Sequence, residues 1–177
     1  MNRSGHKIIK DGIQFDSLLE LDIYEEFLSR GIELKRGEPI EVFDAFKTPI
    51  FCYSNDNKKF EFKREKQSIR GVAYTPDFVL RVTEKTINPK TGAERTDGYN
   101  VYIEAKGFAN ETFRYRWKLF KHYIDIYEPT AKIFLIKRRH NGRVKEKDIF
   151  LRLEETKNIV NNIINICNLD NKINLKE

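Results

Sequence analysis

Thr75-Pro76-Asp77-Phe78-Val79-Leu80 and Tyr102-Ile103-Glu104-Ala105-Lys106-Gly107 decide how this chain reads. Each looks like a β-strand carrying a carboxylate at its end or edge. Strand side chains alternate faces, so Glu104 and Lys106 project to one side while Ile103 and Ala105 project to the other. On the first strand Phe78, Leu80 and Val82 share one face, and Asp77, Val79 and Arg81 share the opposite one. An acidic residue from one strand, joined by Glu-x-Lys from the next, suits metal-dependent hydrolysis of a phosphodiester. The carboxylates hold a divalent cation, and the ammonium sits beside the water or the phosphate it attacks. Either segment alone is ordinary: Pro-Asp often starts a strand, and Glu-x-Lys is often a solvated strand face. In this order, each on its own strand, they make a candidate site.

Between the two, residues 84–98 contain Asn88-Pro89 and Thr91-Gly92 and read as a long exposed turn, before the chain returns on Tyr99 to Ala105. Upstream, Ile40 to Tyr74 is strand-like at Val42-Phe43, Pro49 to Tyr53, Phe60 to Lys63 and Val72 to Tyr74, with a polar turn over 54–59. Ile8 to Phe15 reads as a hairpin around Lys10-Asp11-Gly12. Asp16-Ser17-Leu18-Leu19-Glu20 starts a helix whose apolar stripe is Leu19, Ile23 and Phe27, with Tyr24 and Leu28 beside it, and Gly31 stops it. Downstream, Asn110 to Ile126 is a second helix, with Phe113, Trp117, Phe120 and Ile124 as its buried stripe. Lys132 to Lys137 is a further strand, followed by the basic turn Lys137 to Arg143. A last helix spans about residues 148–168. The expected fold is α/β in the broad sense, an α+β chain with one mixed sheet and helices packed against it. Residues 1–177 read as a single domain, with 169–177 a frayed tail.

Composition narrows the function. The chain has 177 residues and is 40% hydrophobic, enough for a sizeable core. Lys and Arg number 33 against 27 Asp and Glu, a net +6 that favours an anionic partner such as nucleic acid. The two cysteines, Cys52 and Cys167, are far apart and lack CxxC spacing, which argues against zinc modules, iron–sulfur clusters and disulfide frameworks. No apolar stretch follows the basic N-terminal residues and no run reaches membrane-spanning length, so the expected location is the cytoplasm and no membrane partner is expected. His6, His122 and His140 are isolated, without partners at ligand spacing. No glycine-rich phosphate loop is present, so no nucleotide cofactor is expected.

Ser17-x-x-Glu20 has the form of a capping box, in which Ser17 and Glu20 satisfy backbone donors at the helix start. Glu20 also lies on the side of Tyr24 and Phe27, from which it reaches the sheet edge where Asp77 and Glu104 gather. One carboxylate cannot fully serve both. The order helix-Glu, strand-Asp, strand-Glu-x-Lys resembles the PD-(D/E)XK nuclease superfamily. More closely it resembles a phage and prophage branch related to endonuclease I-type Holliday junction resolvases. That resemblance rests on Asp11-Gly12-Ile13-x-Phe15-Asp16-Ser17-x-x-Glu20, Tyr74-Thr75-Pro76-Asp77-Phe78, Ile103-Glu104-Ala105-Lys106-Gly107 and Thr112 to Phe120, within Ile8 to Lys121. Residues 35–70 and the final helix take no part in it.

The resemblance implies a restriction-endonuclease-like core and a magnesium-dependent DNA endonuclease, with manganese able to substitute. Asp77 and Glu104 would bind the metal, the Ala105 carbonyl would be a further ligand, and Glu20 would complete or orient the shell. Lys106 would orient the attacking water or offset charge on the scissile phosphate. Branched DNA is the implied substrate, in phage recombination or genome processing, which places a phage-encoded chain in the host cytoplasm. A restriction, repair or transposase-type nicking enzyme on linear duplex, and a non-catalytic nucleic-acid-binding protein of the same fold, are the alternatives.

Arg114, Lys118 and Lys121 recur at i, i+4 and i+7 beside the second helix's stripe and read as phosphate contacts or as a solvated face. Arg138 and Arg139 belong to a second basic cluster, and Arg64, Lys66 and Arg70 to a third. Such contacts position DNA without reading its sequence. Symmetric cutting of a four-way junction needs two active sites, which a homodimer supplies. On the final helix Ile159, Ile163 and Ile166 offer a face to a partner, with Val160, Ile164 and Cys167 packing inward; packing of the whole helix on its own sheet is the other reading.

Overall fold

The computed structural model describes residues 7–48, 50–54, 56, 58–63, 68–107, 110–137 and 146–169. In chain order these form β1 (Ile8–Lys10), β2 (Ile13–Phe15), α1 (Leu18–Ser29), β3 (Lys35–Arg36), β4 (Ile40–Phe43), β5 (Phe46–Lys47), β6 (Ile50–Ser54) and β7 (Lys59–Lys63). They continue through β8 (Ser68–Ile69), β9 (Val72–Tyr74), β10 (Phe78–Ile87), β11 (Glu94–Lys106), α2 (Glu111–Tyr127), β12 (Lys132–Lys137) and α3 (Glu146–Cys167). Within the stretch read as one domain, the residues cluster into two compact units. One comprises Met1–Gly37, Pro76–Ala109 and Glu128–Glu177, the other Glu38–Thr75 and Asn110–Tyr127.

The first unit is built on a four-stranded mixed sheet in the order β12-β11-β10-β3. β10 pairs antiparallel with β11 and with β3, while β11 pairs parallel with β12. The β10–β11 ladder runs from Phe78↔Ile103 to Ile87↔Glu94, so the strands extend well into the stretch expected to be turn. Only residues 88–93 remain as the connection, closed by Gly92 at φ 66 and by the Asn88 carbonyl accepting from the Gly92 N–H. Thr, Lys, Glu and Arg give this outer ladder no apolar alternation, and its backbone hydrogen bonds do not depend on one.

One face of this sheet is the core. Phe78, Val82, Val101, Ile103 and Ala105 meet Leu19, Ile23 and Phe27 of α1 and Val160, Ile163, Ile164 and Cys167 of α3. Full burial of a phenylalanine such as Phe78 stabilises the fold by roughly 2–3 kcal/mol. The alternation expected for β10 and β11 and the stripe expected for α1 both hold, except that Leu28 is exposed. An ion pair between the half-buried Arg152 and the buried Asp22, Nε to Oδ2 at 3.0 Å, joins the two helices.

The chain turns are local chemistry. Asp11 and Gly12 both have positive φ, as a two-residue hairpin loop of the I′ type requires, and they join β1 to β2 where the sequence predicts. α1 and α3 end alike. Gly31 (φ 73) and Asn168 (φ 50) take the left-handed conformation, and the next residue donates its N–H back five positions, Ile32 to Phe27 and Leu169 to Ile164. Ile32 and Leu169 are then buried. Leu169 is thus the apolar plug of a helix cap, not the first residue of a frayed tail; residues 170–177 lie outside the described residues. Of the two readings of the final helix, packing on its own sheet holds for Ile163, which is only 2% exposed and belongs to the core, whereas Ile166 is exposed.

In the second unit β4 pairs with β9, β5 with β8 and β6 with β7, all antiparallel. The pairs nest: Ile40↔Tyr74, Phe46↔Ile69, Ile50↔Lys63 and Ser54↔Lys59. Residues 40–74 therefore run out and back as one interrupted hairpin, and these strands form two-stranded ribbons where a single mixed sheet is expected. α2 packs on β4 and β9, with Phe120 and Ile124 buried and Tyr74 stacked on Phe120 at 4.5 Å between ring centroids. No described helix is long and apolar enough to cross a membrane.

Candidate active site

Asp77 stands one residue before β10, and Glu104 and Lys106 are near the end of β11. Continuing the ladder one step beyond Phe78↔Ile103 sets Asp77 opposite Glu104. The two strands are also tied by a side chain: Asp77 Oδ2 accepts from the Ala105 N–H at 2.7 Å. Glu104 is buried, and Lys106 Nζ stands 3.6 Å from Glu104 Oε1. Ala105 faces the core, so its neighbours Glu104 and Lys106 share the other side of the sheet, as the alternation predicts.

The approach to Asp77 is fixed by residues that no motif contains. Gly37, directly after β3, donates its N–H to the Asp77 carbonyl at 3.3 Å. A Cβ at position 37 would stand 2.0 Å from the Pro76 carbonyl oxygen, so only glycine lets the chain come this close. Arg36 lies over the rings of Phe78 and Phe15, with its guanidinium carbon 5.1 Å and 5.7 Å from their centroids. Sequence reasoning missed both residues, because a two-residue strand shows no periodicity.

Arg36 also settles much of the role of Glu20. Ser17 is the N-cap of α1 and its Oγ accepts from the Glu20 N–H at 3.2 Å. In return Glu20 Oε1 accepts from Ser17 Oγ, and Oε2 accepts from the Asp16 N–H and from Arg36 Nη1 at 3.2 Å. Both oxygens of this buried carboxylate are engaged at the helix start; the Ser17 half of the capping box holds, while Glu20 reaches the N–H of Asp16 in place of that of the N-cap and gains an ion pair.

Electrostatics still join Glu20 to the site. Burial raises the Asp77 carboxyl from its ordinary value of 3.8 to about 7, and the Glu104 charge adds to the rise. The Ala105 N–H opposes it, Glu20 adds a smaller push upward, and Lys106 draws it down. Burial and the neighbouring Glu104 charge thus both disfavour the ionised form of Asp77. A divalent cation would reverse that preference, and the donor set is hard oxygen, as magnesium or manganese takes. The second Asp77 oxygen has no hydrogen-bond partner among the described residues. These donors fit a cation that keeps several waters and takes one or two carboxylates. Among the described residues, no three His, Cys, Asp or Glu side chains converge into a larger ligand set.

Of the basic residues, Arg114, Lys118 and Lys121 are exposed on α2, beside the stripe of Phe113, Trp117, Phe120 and Ile124. Arg138 and Arg139 lie outside the described residues. No protein-family model, curated protein or solved structure matches the chain.

Proposed function

We propose that this chain is a metal-dependent endonuclease that hydrolyses DNA phosphodiester bonds in the manner of the PD-(D/E)XK superfamily, with branched DNA as its substrate. The observation that carries the reading is the meeting of Asp77, Glu104 and Lys106 at one end of the β10–β11 hairpin, with Asp77 bonded to the Ala105 N–H. Asp77 and Glu104, with the Ala105 carbonyl, would hold magnesium, and Glu20 would act on the shell through its charge. When bound, the cation would supply a Lewis acid for the phosphoryl oxygen and lower the pKa of its water. Lys106, beside Glu104, orients the attacking water and offsets charge on the phosphate. The Ala105 N–H fixes the rotamer of Asp77. A homodimer would provide the two sites that a four-way junction needs.

A second reading has its own observation. Both oxygens of Glu20 are already engaged, and among the described residues three carboxylates do not converge. This favours a nucleic-acid-binding protein that keeps the fold without the chemistry. One experiment separates the two. A labelled four-way junction and a linear duplex of matched sequence are incubated with the protein, with magnesium and with chelator, alongside Glu104→Gln and Lys106→Ala. Paired nicks in the junction, lost in both variants and in chelator, are the expected result. Equal cutting of the linear duplex replaces the branched substrate with a general one. Folded protein that binds DNA but cuts nothing in magnesium or manganese overturns the catalytic reading.

A further inference from the structure

Arg81 is an exposed arginine with a built support. It lies on β10 opposite Asn100, on the sheet side that carries Glu104 and Lys106. Its Nη1 donates to Asn100 Oδ1 at 3.2 Å. The Asn100 amide is itself oriented: Nδ2 donates to Glu128 Oε2 at 2.7 Å and to the Tyr102 hydroxyl at 3.1 Å, leaving Oδ1 for Arg81. Tyr102, buried, donates in turn to Glu128 at 2.9 Å. The next residue outward on β11 from the Asn100 side is Gly98, where a Cβ would stand 3.1 Å from Arg81 Nη2 and 2.8 Å from the Val82 carbonyl oxygen. Glycine leaves the guanidinium room to lie across the ribbon.

Four side chains thus form a line, Glu128–Tyr102–Asn100–Arg81, whose outer end is a positive fork. The only hydrogen bond of that fork among the described residues is to a neutral amide, and no described carboxylate pairs with it. An arginine kept for stability alone gains more from a carboxylate; one held on an amide keeps its charge and most of its donors for an external anion. Asn100 stands four residues along β11 from Glu104, about 14 Å at strand rise. On a nucleic-acid strand this is a few nucleotides' distance.

We propose that Arg81 is a positioning residue that binds a backbone phosphate of the DNA a few nucleotides from the scissile bond, held in place by Asn100, Tyr102 and Glu128. The proposal rests on the nuclease reading and names a contact that sets substrate register. Because Arg81 is exposed, Arg81→Ala should leave thermal unfolding unchanged.

The test is anisotropy of a labelled four-way junction and a matched duplex, with calcium replacing magnesium to hold back cutting, over a salt series. Arg81→Ala should lower the slope of log affinity against log salt by about 0.9, the share of one phosphate contact. In magnesium it should raise KM with turnover at saturating DNA unchanged. Asn100→Leu, which keeps the charge but removes its holder, should leave the slope near that of the parent and raise KM by a smaller factor. Lys90→Ala, at the ribbon tip, should change neither beyond general screening. An unchanged slope and KM in Arg81→Ala, while cutting still depends on Glu104, overturns this proposal and leaves the nuclease standing. No salt-dependent DNA binding by the parent protein overturns both. Normal binding with no cutting removes the nuclease and, with it, the scissile bond against which the contact is placed, so it overturns this proposal too.

Discussion

The chain contains two long antiparallel hairpins that differ in what surrounds them. The β10–β11 hairpin has β3 on one side and β12 on the other at its base, and α1 and α3 cover one of its faces. There Phe78 and Ile103 are fully buried. The hairpin of residues 40–74 stays two-stranded and is interrupted, and its outer aromatic residues Phe51 and Phe60 are 67% and 68% exposed. Flanking strands and a covering layer make a hairpin rigid enough to hold side chains in register. In the second hairpin α2 covers only β4 and β9, and among the described residues no third strand joins β6 and β7, whose exposed aromatic rings make that end a better candidate for contact than for chemistry. The carboxylates and the lysine sit on the first hairpin, at the end where it is flanked.

The largest expected difference is in stability. Phe78→Ala should cost about 3–5 kcal/mol by the usual cavity penalty, whereas Phe60→Ala should stay within about 0.5 kcal/mol. Denaturant unfolding of both variants reads this directly. Similar losses would mean that the second hairpin is packed as firmly as the first, and the contrast would be gone.

Next comes turnover. Replacing outer-shell partners of a metal site commonly costs 10–100-fold, so Glu104→Gln, which alters a proposed ligand, should lower turnover by at least about 100-fold. Phe51→Ala and Phe60→Ala should keep turnover at saturating DNA. A collapse of turnover in either aromatic variant would assign chemistry to the second hairpin.

A smaller effect follows from Asp77. Its carboxyl is raised in the folded protein from 3.8 to about 7, chiefly by burial and then by Glu104. The folded state therefore holds a proton that the unfolded chain releases, and the stability this provides is complete below about pH 4 and lost as pH rises through about 7. Asp77→Asn should flatten that decline, so its melting temperature should exceed the parent's at pH 8 by more than at pH 4. Magnesium, if Asp77 holds it, should flatten the parent's decline and leave the variant's alone. A parent curve as flat as the variant's would show that Asp77 titrates normally and that the two carboxylates are not crowded.

How much of this was legible in the sequence depended on whether side chains or backbone made the structure. Phe78, Leu80 and Val82 announced their face, Glu104 and Lys106 shared the other, and Asp11-Gly12 named its turn. The outer half of the β10–β11 ladder was hidden because polar residues on both strands mask a pairing carried by backbone hydrogen bonds. The engagement of Glu20 by Arg36 was hidden because β3 has two residues and no pattern. The inward place of Ile163 was hidden because α3 carries apolar residues on adjoining stripes, and spacing alone does not say which one meets the sheet. Leu169 looked like tail because a left-handed asparagine, unlike glycine, is a weak stop signal. The pairing of Asp77 with the Ala105 N–H joins two motifs that the sequence could only set in order.

The smallest effect concerns α2, which packs on β4 and β9 at the base of the second hairpin. Arg114, Lys118 and Lys121 are exposed there, and each would contribute at most one phosphate contact. Arg114→Ala should therefore reduce the slope of log affinity against log salt by about 0.9, with a modest rise in KM and no change in turnover at saturating DNA. The helix should keep its place, since its packing rests on Phe120, Ile124 and the Tyr74 stack. Loss of slope without loss of turnover would make this row a phosphate contact that takes no part in the chemistry. An unchanged slope in all three single variants would make this row a solvated face, with charge useful for solubility alone.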